Sequence, residues 1–113
     1  MKARVAAAAL LLLPAAAQAD DCDRATNQNR LNTCAEDRYK QADSELNDVW
    51  TALPGALKSK YRRQQRGWIA ARDAKCRSAA AEAEGGSMQP LLYFDCLADQ
   101  TRERTRWLKA HSG

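Results

Sequence analysis

A single histidine, His111, stands in a chain of 113 residues, and it falls in a terminal stretch of the kind that frays. That leaves no base for a Ser-His-Asp triad and no imidazole for a mixed cysteine and histidine zinc site. No Cys-x-x-Cys spacing is present, which further argues against a structural metal. Aromatic residues make up only 6% of the chain, too few for an extended base-stacking platform, so a nucleic-acid surface is not expected. Glu45 and Asp48 stand close on one helix, but nothing around them marks a carboxylate pair poised for acid-base work. Alternating strand patterns and internal repeats are absent as well. These gaps argue against an enzyme and call for no cofactor.

One apolar run is present, Val5 to Leu13, behind Lys2 and Arg4 and ahead of the small-x-small signal Ala17-Gln18-Ala19. It is too short to span a bilayer comfortably, no second run follows it, and its flanks are those of a secretory signal peptide. Residues 1–19 are thus read as a leader and 20–113 as one exported domain, periplasmic or secreted. Ala19-Asp20-Asp21 before Cys22 are not the small apolar residues that precede a lipid-modified cysteine, so no membrane anchor is expected in the mature form.

All four cysteines, Cys22, Cys34, Cys76 and Cys96, lie in that exported part, and an even count in a short secreted chain reads as two disulfides. Four cysteines allow three pairings, and the sequence alone does not choose among them.

The helical reading is built around Gln65 to Cys76, where Trp68, Arg72 and Cys76 recur at four-residue steps and share one inward face. Before it, Asp23 to Leu31 forms a polar lead-in. Thr33-Cys34-Ala35-Glu36 matches a capping box, and Ala35, Tyr39, Ala42, Leu46, Val49, Trp50 and Leu53 follow at helical spacing until Pro54-Gly55. The second helix carries Leu57, Tyr61, Trp68, Ile69, Arg72 and Cys76 and runs into the alanines before Gly85-Gly86. Ser87 is the expected N-cap of a third, with Pro90 in its first turn and Leu91, Leu92, Leu97 and Leu108 as its stripe. The fold class is all-α, a small three-helix antiparallel bundle with a short N-terminal lead-in, stapled by two disulfides. If helices two and three form a hairpin around Gly85-Gly86, Cys76 and Cys96 fall nearly level, which favours their pairing and leaves Cys22 with Cys34.

Charge is unevenly placed. From Lys58 to Arg77, eight lysines and arginines face Asp73 alone, whereas Ser78 to Thr101 contains Glu82, Glu84, Asp95 and Asp99 and no lysine or arginine. Such runs are commonly solvated helix faces. Here the acidic glycine turn, Glu82 to Met88, also offers a negative tip with one apolar residue to a basic surface. The basic run offers itself to phosphate or another anionic envelope polymer.

Asp43-x-x-Leu46-Asn47-x-x-Trp50, then Gln65-x-x-Trp68-Ile69-x-x-Arg72-Asp73-x-x-Cys76, then Gly85-Gly86-Ser87, Cys96 and Thr101-x-x-Arg104 together resemble the LprI-like lysozyme-inhibitor family, over nearly the whole mature chain. The resemblance implies a small helical, disulfide-bonded envelope protein that binds and blocks a lysozyme-type glycoside hydrolase and so protects the cell-wall glycan. Unlike the lipoprotein members, this chain lacks a lipidation cysteine. Steric occlusion is expected through Glu82, Glu84, Gly86, Ser87 and Met88. Asp43, Leu46, Asn47, Trp50, Gln65, Trp68, Arg72 and Asp73 are assigned to structure, with Asp43 or Asn47 expected to receive Arg72. A module for anionic envelope material using helix two, and a structural or immunity partner of another envelope protein, are the alternatives.

Overall fold

The computed structural model describes residues 22–113; the leader read at 1–19 lies outside them. Three helices follow one another: α1 (Gln28–Ala52), α2 (Gly55–Ala80) and α3 (Gln89–Ala110), with a 3₁₀ turn at Ala81–Ala83 between α2 and α3. Among the described residues there are no strands.

Each boundary has a local cause. Pro54 disfavours helical backbone at the residue before it, and Leu53 is extended (φ −64°, ψ 142°), so α1 ends at Ala52. Pro54 in turn leads into α2, its carbonyl accepting from Leu57 and Lys58 at 2.9 and 3.0 Å. The start of α1 differs from the capping-box reading. Asn27 is the N-cap, accepting the Arg30 amide at 2.8 Å, which places Thr33 and Glu36 within the helix. There the Thr33 hydroxyl donates to the Asn29 carbonyl and Glu36 pairs with Lys40. Asparagine is as good a cap as threonine and stands earlier in the chain. Ser87 likewise is not the cap of α3. That position is Met88, which makes no side-chain capping bond, and Pro90 occupies the first turn.

The helices run up, down and up, so sequence neighbours are antiparallel while α1 and α3 lie parallel. Asn32 meets Ser87 just ahead of α3, and farther along both helices Arg38 meets Asp95 and Tyr39 stacks on Phe94. The most extensive packing is between α1 and α3. Ala35 and Ala42 on α1 and Ala98 on α3 are fully buried, and these small side chains let the backbones approach closely. Toward the far end Leu46, Leu53 and Leu108 form an apolar cluster, with Val49, Trp50, Trp68 and Trp107 packed against it. Each fully buried leucine there contributes roughly 2 kcal/mol.

Both disulfides form, Cys22–Cys34 tying the lead-in to α1 and Cys76–Cys96 joining α2 to α3 with Cα atoms 5.4 Å apart. Ile69 leaves the expected core stripe. It is 41% exposed, because α2 turns Gln65, Arg72 and Cys76 inward and Ile69 falls to the flank of that face.

An interior layer of cations and aromatic rings joins α2 to α3 and reaches Tyr39 on α1. Arg72 is only 8% exposed; its Nε and Nη2 donate to one oxygen of Asp73 at 3.0 and 2.9 Å, and its Nη1 donates to the Thr101 hydroxyl at 3.3 Å. Its guanidinium also lies 5.1 Å from the Trp68 ring and 5.5 Å from the Tyr39 ring. Asp43 and Asn47 do not receive it. They are bonded to each other at 3.4 Å, because Asp73 stands beside Arg72 in sequence and within reach of its fork. Below this, Arg104, 7% exposed, donates through Nε to the Gln65 side chain at 2.7 Å. No acceptor among the described residues meets Arg104 Nη2, and its cation lies against Trp107 at 4.1 Å and Trp68 at 5.7 Å. Ring faces are attractive to a desolvated cation, so the two tryptophans offset part of the burial cost. Burial still pulls the Arg104 guanidinium below its ordinary value.

Burial also raises the Tyr39 phenol above its ordinary value of 10.0, an effect the nearby Arg72 cation partly offsets. A raised phenol pKa in the fold leaves stability fully present below the unfolded value and removes it above, since the unfolded chain ionises first. Stability should therefore fall as pH rises above about 10. Tyr39→Phe should flatten that fall, as read from urea midpoints on either side of that pH; an unchanged slope would count against the assignment.

Candidate functional site: the hairpin tip between α2 and α3

The end of α2 is rich in alanine, and its last turn tightens into the 3₁₀ segment, where the Glu84 amide donates to the Ala81 carbonyl at 3.1 Å. Gly85 then takes φ +76°, a conformation open to glycine at little cost and strained for other residues, which reverses the chain. Gly86 follows with its amide on the Ala83 carbonyl at 2.8 Å; a Cβ at Gly86 would come within 3.2 Å of that same oxygen. The turn is held from three sides. The Gln89 side chain accepts the Gly85 amide at 3.3 Å, Asn32 of α1 donates to the Ser87 carbonyl at 2.8 Å, and the Cys76–Cys96 bridge closes the foot of the hairpin.

This geometry divides the five residues expected at a contact. Glu82, Gly86, Ser87 and Met88 form an exposed ridge, on which Met88 is 47% exposed. Glu84 instead turns to a groove of about 530 Å³ bordered by Arg77, Ala80 and Ala81 on one side and Gln89, Pro90, Tyr93 and Phe94 on the other. Neither Glu82 nor Glu84 is ion-paired among the described residues, so both carboxylates remain open to a partner.

The groove itself was not legible from periodicity. Tyr93 and Phe94, ring centroids 5.4 Å apart, lie beside Leu91 and Leu92 in a run that reads as core. The available signal was their adjacency to the acidic glycine turn in a chain poor in aromatics. Asp43, Leu46, Asn47, Trp50, Gln65, Trp68, Arg72 and Asp73 are not brought to this site. Leu46, Trp50 and Trp68 belong to the apolar cluster, Gln65, Arg72 and Asp73 to the interior polar layer, and Asp43 with Asn47 to the flank of α1.

The tip carries no catalytic constellation. His111 lies at the other end, its Nδ1 2.7 Å from the Trp107 carbonyl and its ring stacked on that indole. Among the described residues no cluster of three or more histidine, cysteine, aspartate or glutamate side chains could hold a metal ion, and every cysteine is in a disulfide. No helix there is long and apolar enough to cross a membrane.

The described residues thus form a disulfide-stapled three-helix unit with an anchored acidic tip. Residues 19–108 match the family described as Lysozyme inhibitor LprI, and the chain belongs to that family. It is also similar to an uncharacterized protein of Rhizobium meliloti (strain 1021), with 42% identity across 94% of each chain. No solved structure matches it significantly.

Proposed function

We propose that the protein is exported through its leader and binds a lysozyme-type glycoside hydrolase without turnover, occluding it with the hairpin tip and thereby protecting peptidoglycan. Family membership supports an inhibitor-like role. The observation that carries the choice of surface is the anchoring of the tip: a disulfide, a left-handed glycine and a bond from α1 hold Glu82, Glu84 and Met88 in one presentation. A contact surface ordered before binding loses less conformational freedom on association, so more of its contact energy appears as affinity.

The chemistry of the tip fits a cationic rim. Glu82 and Glu84 supply charge that steers approach and sets orientation, while Met88 supplies a flexible apolar contact suited to an irregular surface. The groove beside Glu84, with Tyr93 and Phe94 along it, gives room for one inserted side chain of the enzyme. Without Lys2 and Arg4 of the leader the exported part has 16 basic against 14 acidic residues, so long-range attraction to a basic enzyme is not its means of recognition; the local tip must serve.

Lysis of a cell-wall suspension by several lysozymes, with and without the oxidised protein, tests the proposal directly. Dose-dependent inhibition that disappears on reduction is the expected result, and no inhibition at high excess of folded protein would refute it. Glu82→Lys with Glu84→Lys should weaken binding about tenfold and flatten its salt dependence. Unchanged affinity in that double variant would remove the tip as the contact.

A further inference from the structure

The opposite end of the molecule has a different electrical character. The first half of α2 exposes Lys60, Arg62, Arg63 and Arg66, and the end of α3 exposes Arg106 and Lys109. The Tyr61 hydroxyl, donating to the His111 carbonyl at 3.2 Å, and the edge-on Tyr61–Trp107 pair draw these two helix ends together. None of the six cations is in an ion pair among the described residues. The sole acid of α2, Asp73, is held by Arg72, and on α3 beyond Asp99 the one carboxylate is Glu103. The exposed acids at the adjoining end of α1, Glu45 and Asp48, sit on a separate helix.

We infer that this cationic end is a second binding surface, one that docks on the phosphate headgroups of an anionic phospholipid bilayer. Two features favour a bilayer over a single polymer strand. The cations spread over two helix ends and around the outer side of α2, a two-dimensional patch rather than a line one strand would follow. Ile69, one of two large hydrophobic side chains exposed among the described residues, lies one helical turn from Arg66 on the flank that also carries Arg62. An apolar side chain bordered by arginines suits the depth just below lipid headgroups. An anionic plane attracts this patch and repels the Glu82 and Glu84 carboxylates at the tip. The surface acts independently of what the tip binds.

Vesicle cosedimentation of the oxidised protein, recovered from the periplasm of an expression host, tests this. The protein should sediment with vesicles of phosphatidylcholine and phosphatidylglycerol at low salt, stay in solution with phosphatidylcholine alone, and be released as salt rises. Partition falls roughly fivefold for each near-surface cation removed. The triple variant Arg62→Glu, Arg63→Glu, Arg66→Glu should therefore lose more than about a hundredfold of its binding while keeping its melting temperature, because all three side chains are exposed. Glu82→Lys with Glu84→Lys should not weaken binding. Equal sedimentation with both vesicle types, full binding by the triple variant, or retention on soluble polyphosphate with none on vesicles would each overturn the inference, the last in favour of a polymer.

Discussion

Arg72→Ala is expected to lower stability by about 3 kcal/mol, the lower range for breaking a buried ion pair. The guanidinium is held by Asp73 and Thr101 and lies between the rings of Trp68 and Tyr39, so its removal takes away charge pairing, a hydrogen bond and packing together. Asp73, left behind, keeps 34% of its side chain exposed and regains water, which is why the loss is not larger. In a domain of this size the change corresponds to a fall in Tm of more than about 10 °C. Arg72→Lys should recover only part of it, since an ammonium cannot form the same fork or lie flat on an indole. A thermal melt of Arg72→Ala that matches the parent would show that the Arg72 layer contributes no net stability.

Removing the Cys76–Cys96 bridge by double alanine substitution is expected to cost a similar amount. A crosslink across 20 residues constrains the unfolded chain by roughly 3 kcal/mol in the chain-entropy account. Removing Cys22–Cys34, across 12 residues, should lower the global transition less, because it frees chiefly the short segment ahead of α1. The two losses are separable by chemical denaturation, and the functional effects should differ more than the stability effects. The first bridge anchors the tip and its loss should abolish inhibition at temperatures where the helices persist; the second should leave inhibition in place. Full inhibition without the Cys76–Cys96 bridge would mean that Gln89 and Asn32 suffice to hold the turn.

Why some of this was legible and some was not follows from the residues involved. Trp68, Arg72 and Cys76 announce an inward face by their spacing, and a level position across a glycine turn brings Cys76 to Cys96. The breaks at Pro54 and Gly85-Gly86 act through local backbone sterics and so survive whatever surrounds them. At the start of α1, Thr33 and Glu36 satisfy a local capping pattern that Asn27 outcompetes from an earlier position. The parallel contact of α1 with α3 leaves little trace, since its buried residues include alanines, which carry a weak hydrophobic signal. The carboxylate chosen by Arg72 was hidden for another reason. Adjacent helical residues do not ordinarily face each other, and only a long, flexible arginine side chain brings its fork back to Asp73.

Helix direction has a practical outcome for any assay that immobilises the protein. Because α1 and α3 are parallel, the Cys22–Cys34 segment and Asn32 lie beside the turn, whereas His111 lies near Tyr61 at the other extremity. A fusion partner or bead attached ahead of Cys22 would crowd the ridge around Ser87 and Met88. Attachment after Gly113 would leave that ridge clear and cover the arginine-rich end instead. Paired sensor surfaces, one coupled through each terminus, would therefore display the two candidate binding ends of the same molecule in turn, without a single substitution.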